Sequence, residues 1–175
     1  GSSGKPTEAG LFSDAIAIFD NVLAAHKDIA VIGRSLGSGV AMHLAANRAV
    51  SQVVLITPYD SILAIAKKQF PLFPISLLLK DQYDSVELAN KVSASVLVLA
   101  GGKDRIIPFS HTQKLVDALG IGKDKRQENV TMIVFEQAGH NNISQSVNYY
   151  KNLTSFLDGL EIKTRVGAAQ QIMVQ

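Results

Sequence analysis

Residues 29–39, reading IAVIGRSLGSG, constrain this chain more than any other stretch. Ile29, Ala30, Val31 and Ile32 are apolar and three of them β-branched, and they read as a strand buried on both faces, which needs no alternation. Gly33 and Gly37 flank Ser35 at the spacing G-x-S-x-G, and Gly39, Val40, Ala41 and Leu44 then resume at helical spacing. A serine on a sharp strand-to-helix turn is held in a strained backbone conformation. Glycines two residues to either side remove the Cβ atoms that would collide with such a turn. The geometry lifts the hydroxyl clear of the sheet and aims backbone N–H groups, Leu36 N–H first, at whatever the serine attacks. Chance alone produces this spacing in about one unrelated chain in twenty of this length. The weight therefore comes from its position, directly after a strand pattern and directly before a helix pattern.

Composition narrows the setting. A chain of 175 residues with 47% hydrophobic and 18% charged residues is expected to form one ordered domain with a real core. Its net charge of +2 is small and dispersed, which argues against a nucleic-acid partner. The run Lys123-Asp124-Lys125-Arg126 is interrupted by an acid and reads as a solvated loop. The absence of cysteine excludes disulfides and thiolate metal sites and fits a reducing, cytoplasmic compartment. No apolar run is long enough for a membrane span, because residues 70–79 are broken by Pro71 and Pro74. No signal-peptide pattern opens the chain.

Taken in order, the chain predicts a helix over residues 7–26 with Phe12, Ile16, Phe19, Val22 and Leu23 on one face. The strand at 29–32, a helix to about Asn47 and a second buried strand at 53–57 follow. Residues 58–92 form an irregular, lid-like excursion with helices near 61–69 and 85–91. A third strand at 96–100 leads to a helix opened by a capping box at Ser110 and Gln113. A fourth strand at 130–135, a helix over 144–157 and a tail (159–175) complete the chain, with residues 1–158 as the domain. Strands alternating with helices imply parallel strands joined by right-handed crossovers, hence an α/β three-layer sandwich with a mostly parallel sheet.

In such sheets ligands bind beyond the carboxyl ends of the strands. Three of those ends carry Ser35, Asp104 and His140, in that chain order. A serine hydroxyl is a poor nucleophile at neutral pH, so it needs a base, and the base needs a partner that fixes its tautomer. His140 lies between Gly139 and Asn141 in a strand-to-helix loop. His26 and His43 fall within helices, and His111 is expected to bond locally in the first turn of its helix. For the acid, Asp104 competes with Asp60, which follows the second strand or caps the helix near Ser61, and with Glu136.

The segments around Gly33–Gly39, Gly101-Gly102-Lys103-Asp104-Arg105-Ile106-Ile107-Pro108 and Ala138-Gly139-His140-Asn141 resemble the three active-site segments of the α/β-hydrolase superfamily. Gly4-Lys5-Pro6-Thr7-Glu8, Thr57-Pro58-Tyr59-Asp60-Ser61 and His140-Asn141 are similar, more narrowly, to serine-aminopeptidase-like serine hydrolases. The similarity covers about residues 2–157. It implies an α/β-hydrolase-type fold of which this chain is the C-terminal part. The resemblance also implies that the strand bearing Ser35 lies at an exposed apolar sheet edge, a place for dimerisation. Residues 1–4 read either as vector-derived or, by this resemblance, as native. The expected function is hydrolysis of an ester, thioester or amide of a small-molecule acyl substrate, with Ser35 as nucleophile, His140 as base and Asp104 as orienting acid, and with no metal or cofactor. Tyr59, Phe70, Phe73, Leu72, Ile75, Leu78 and Leu79 are candidates to line an acyl pocket, or a helix packed on the sheet. The rival readings are a non-catalytic module or inactive fragment of the same fold, and a peptidase or acyltransferase with the same three residues.

Overall fold

The computed structural model describes residues 5–120 and 129–159. Residues 1–4, the basic run at 123–126 and all but the first residue of the expected tail lie outside them. The elements are α1 (Glu8–Leu23), β1 (Ala30–Arg34), α2 (Leu36–Asn47), β2 (Gln52–Ile56), α3 (Ile62–Gln69), α4 (Ile75–Leu78), α5 (Ser85–Leu88), β3 (Ser95–Gly101), α6 (Phe109–Leu119), β4 (Val130–Phe135) and α7 (Tyr149–Leu157).

The four strands pair in the order β1-β2-β3-β4, every pair parallel. Arg34, Ile56, Leu99 and Ile133 lie in one row across the sheet. The residues just beyond that row therefore share one rim. With right-handed crossovers, a sheet whose order follows the sequence receives all its crossover helices on one face. There Phe19, Met42, Leu44, Leu115 and Val116 cover Val53, Leu55, Val96 and Val98. The alternate residues Val54, Ile56, Leu97 and Leu99 point the other way, where Ile143, Tyr149, Leu153 and Phe156 from the last segment cover them. Coverage on both faces is why β2 and β3 read as unbroken apolar runs. The three-layer α/β architecture is the one expected.

β1 departs from the expectation, read from its apolar pattern, of a strand buried on both faces, and lies at an exposed edge as the resemblance implied. It is the edge of the sheet among the described residues, and Ile32 is 50% exposed. Along this edge a groove of about 320 Å³ is lined by Val31 and Ile32 of β1 with Leu11 and Ala15 of α1 and Leu36 and Val40 of α2. Apolar residues in an edge strand satisfy the same sequence pattern, so the pattern could not separate the two cases.

Other boundaries move for local reasons. α1 stops at Leu23, leaving His26 exposed beyond it rather than within a helix. The capping box at Ser110 and Gln113 does not form. α6 starts two residues earlier, with Pro108 at the N-cap position, and the Gln113 amide donates to Asp117 at 2.8 Å instead. The last helix is split, with a short 3-10 turn at Ile143–Gln145 and Asn148 in the left-handed region (φ 66°) before α7. The excursion is anchored at both ends. Ser61 Oγ caps α3 by accepting from Ala64 N at 3.0 Å. The Glu8 carboxylate accepts from Gln82 N (2.6 Å) and Tyr83 N (3.1 Å), while Asp81 accepts from Glu8 N at 2.9 Å.

Candidate active site

Ser35 adopts φ 51° and ψ −123°, a conformation L-residues avoid, in the turn from β1 to α2. Its N–H stays in the sheet, donating to Ile56 O at 2.9 Å, while its carbonyl accepts from Ser38 N and from Ser38 Oγ (2.7 Å). The two flanking glycines are not equivalent. A Cβ on Gly33 would lie 2.7 Å from Ala41 Cβ and 2.8 Å from Ser38 Cα, so only glycine fits. A Cβ on Gly37 would meet open space, which corrects the expectation that both glycines are sterically required. Gly39 takes that role, because its missing Cβ makes room for the Tyr59 hydroxyl.

That hydroxyl donates to Leu36 O at 3.2 Å. Tyr59 is fully buried, and burial, with Tyr83 and Glu8 adding to it, pushes the phenol far above its ordinary range. It stays protonated and buttresses the first residue of α2 from below. Tyr59 is thus a prop for the turn rather than the pocket wall the sequence suggested. Leu36 N–H opens α2, where the first N–H groups of a helix lack an intrahelical acceptor and remain free for a ligand.

Asp104 follows β3. Its Oδ1 accepts from Ile106 N (2.9 Å) and Ile107 N (2.8 Å), which fixes the carboxylate and leaves Oδ2 to face His140 Nδ1 at 2.7 Å. Gly101 and Gly102 permit the close approach that this requires. A Cβ on Gly101 would stand 2.8 Å from Ala138 O, and one on Gly102 2.7 Å from Glu136 O. Lys103 N donates to Ala138 O at 2.9 Å, tying the Asp104 loop directly to the His140 loop.

His140 completes the array, with Nε2 2.8 Å from Ser35 Oγ. Both the His140 and Asp104 side chains are buried, at 8% and 3% exposure. A carboxylate facing Nδ1 makes that nitrogen the donor, so the neutral ring presents a lone pair on Nε2 to the Ser35 hydroxyl. The structure thus brings Ser35, His140 and Asp104, each from a different strand end, into one line of hydrogen bonds.

The other candidates lie elsewhere. Asp60 does not reach His140. Its Oδ1 faces His111 Nδ1 at 2.7 Å and accepts from Ser61 N, and Lys114 Nζ stands 3.6 Å from Oδ2. His111 therefore bonds to a residue 51 positions away, not locally. Glu136 is exposed in the turn after β4. Phe70 and Phe73 are 52% and 63% exposed and meet edge to face, so they line no enclosed acyl pocket. Sequence reasoning placed Arg34 at a strand end but gave it no role. Its guanidinium donates to His140 O (3.1 Å) and Asn141 O (3.4 Å), bracing the histidine loop from the residue next to Ser35. Nothing in the local pattern marks that contact, which spans more than a hundred residues. Among the described residues no group of His, Asp and Glu is arranged to hold a metal ion, and no helix is long and apolar enough to cross a membrane.

The parallel sheet between two helical layers, with a serine on a strained strand-to-helix turn at its carboxyl rim, is the architecture of the α/β-hydrolase fold. Residues 11–161 match the prolyl oligopeptidase family, and the chain belongs to that family. Similar sequences include an uncharacterized protein of Mycobacterium tuberculosis (strain ATCC 25618 / H37Rv), 37% identical over 146 residues that make up 81% of this chain and 49% of that protein. Human alpha/beta hydrolase domain-containing protein 17B is 28% identical over 160 residues, 89% of this chain and 52% of its own length. The chain spans about half the length of the curated relatives it matches. Among solved structures, an esterase of Pyrococcus furiosus superposes with a TM-score of 0.65 at 17% identity, covering 91% of this chain and 63% of the esterase, a likeness of fold.

Proposed function

We propose that this chain carries the catalytic residues of a serine hydrolase that cleaves a carboxylic ester, thioester or amide through an acyl-enzyme on Ser35. The observation that carries the reading is the unbroken line from Ser35 Oγ through His140 to Asp104, with both links at 2.7–2.8 Å and Ser35 held at positive φ. His140 Nε2 takes the Ser35 proton as Oγ attacks the carbonyl carbon. The carbonyl oxygen gains negative charge beside Leu36 N–H, and the tetrahedral species collapses as His140 passes the proton to the leaving group. Water then repeats the sequence, with His140 as base, to release the acid and restore Ser35. Asp104 keeps the ring in the reactive tautomer and offsets the charge of the imidazolium that forms twice per turnover. Membership of the prolyl oligopeptidase family adds weight to an amide as substrate, and the same three groups serve an ester or thioester.

A fluorophosphonate probe tests the reading, because it is attacked by activated serines alone. Wild type is expected to label at Ser35 and Ser35→Ala not at all. Asp104→Asn is expected to slow labelling by about 10⁴-fold, since the wrong tautomer of His140 is then favoured. Absence of labelling in wild type would instead favour the rival reading of a non-catalytic module or an inactive fragment of the same fold. Product analysis with peptide, ester and alcohol-acceptor substrates separates peptidase, esterase and acyltransferase chemistry.

A further inference from the structure

The excursion between β2 and β3 carries a surface that the chemistry at Ser35 does not use. After α3 ends at Gln69, Pro71 and Pro74 hold the chain in a tight turn that leads into α4. Leu72 is 93% exposed, Leu77 85%, Leu78 64%, and Phe70 and Phe73 are more than half exposed as well. Phe70 and Phe73 meet edge to face with ring centres 6.5 Å apart, which stiffens the tip. Single exposed apolar side chains are ordinary on a protein surface, but five of them between Phe70 and Leu78, on the turn and the α4 that follows it, mark a surface made to be covered.

The charges around the turn identify what covers it. Lys67, Lys68 and Lys80 are exposed at its base, and none of them forms an ion pair among the described residues. From Ser61 through Lys80 there is no Asp or Glu. The first acid, Asp81, is occupied with Glu8 N. An apolar tip of leucine and phenylalanine above a collar of unpaired lysines suits the boundary between acyl chains and anionic headgroups, where the tip enters the hydrocarbon and the ammonium groups meet phosphate and carboxylate. We propose that residues 67–80 form a docking prong for an anionic lipid bilayer surface. The excursion that carries the prong leaves the sheet after β2, at the carboxyl rim that also bears Ser35. This inference does not depend on the hydrolase reading.

Co-sedimentation of the full chain with phosphatidylcholine vesicles containing about 30% phosphatidylserine tests it. Wild type is expected to bind these vesicles at least about 10-fold better than phosphatidylcholine alone. Leu72→Asp/Leu77→Asp is expected to lose about 10-fold or more. Replacing Lys67, Lys68 and Lys80 by Gln is expected to cost roughly fivefold per lysine and to remove most of the salt dependence. All these side chains are exposed, so circular dichroism and the melting temperature are expected to stay at wild-type values. Two outcomes overturn the proposal: binding that is absent in wild type or unchanged in Leu72→Asp/Leu77→Asp, and a dimer that this variant dissolves without any lipid binding, which would assign the surface to a second copy. Fluorophosphonate labelling without lipid reports on Ser35 separately, so failure of either reading is visible without the other.

Discussion

Ser35 sits in a backbone conformation that costs about 1–3 kcal/mol, and three small residues make it tenable. Gly33 leaves room for the turn to fold back on α2, Gly39 admits the Tyr59 hydroxyl, and Ser38 bonds the Ser35 carbonyl. The motif written as G-x-S-x-G is therefore asymmetric in its physics. Gly33→Ala is expected to lower unfolding free energy by about 1–3 kcal/mol through overpacking against Ala41 and Ser38, and to reduce probe labelling at Ser35 with it. Gly37→Ala, pointing into open space on a helix, is expected to leave stability unchanged or raise it by about 0.5–1 kcal/mol through lower unfolded-state entropy. Urea unfolding of the two variants checks both, and equal losses would contradict the asymmetry.

At the level of elements, the site is a junction of loops rather than a property of any one strand. The parallel register puts the ends of β1, β3 and β4 on one rim, and the close contact of Gly101 and Gly102 with the 136–138 backbone locks two of the loops together. Arg34 supplies the third tie, from β1 to the carbonyls of His140 and Asn141. Removing that tie frees the histidine loop without touching the reacting atoms. Arg34→Met is expected to lower kcat by about 10-fold, as a misplaced base does, with KM little changed and partial recovery in Arg34→Lys. Steady-state kinetics on an activated ester measures the split, and a KM effect alone would place Arg34 in substrate binding instead. The helices and strands themselves were legible in the sequence, because their patterns repeat over two to four residues. The capping box was not, because Pro108 had already fixed the start of α6.

For the whole molecule, α1 and α2 join the sheet as one layer, and His43 lies at their contact, its ring stacked 3.8 Å from Phe12. Burial there holds the His43 pKa below its ordinary value, against the opposing charge of Glu8. The unfolded chain thus binds a proton near pH 6.5 that the native state resists, so stability falls as pH drops through and below that point. His43→Phe keeps the stack and removes the titration. Its melting temperature is expected to decline less than that of wild type between about pH 7 and pH 5, which thermal unfolding across that range measures. Parallel slopes would show that His43 does not sense the pH. What the sequence determined by itself was everything that depends on near neighbours: the alternation of strand and helix, the strained turn at Ser35, and the three strand ends where chemistry would gather. Only the tertiary structure decided the pairings. Asp60 and Asp104 each follow a strand and each find a buried histidine, and nothing local says that Asp60 takes His111 and Asp104 takes His140. The same holds for Phe70, Leu72, Phe73 and Leu78, which read as a pocket wall or a helix packed on the sheet and stand in solvent. Hydrophobic pattern records that a side chain is apolar, whereas its exposure depends on which distant segment packs against it, and that is a property of the assembled layers alone.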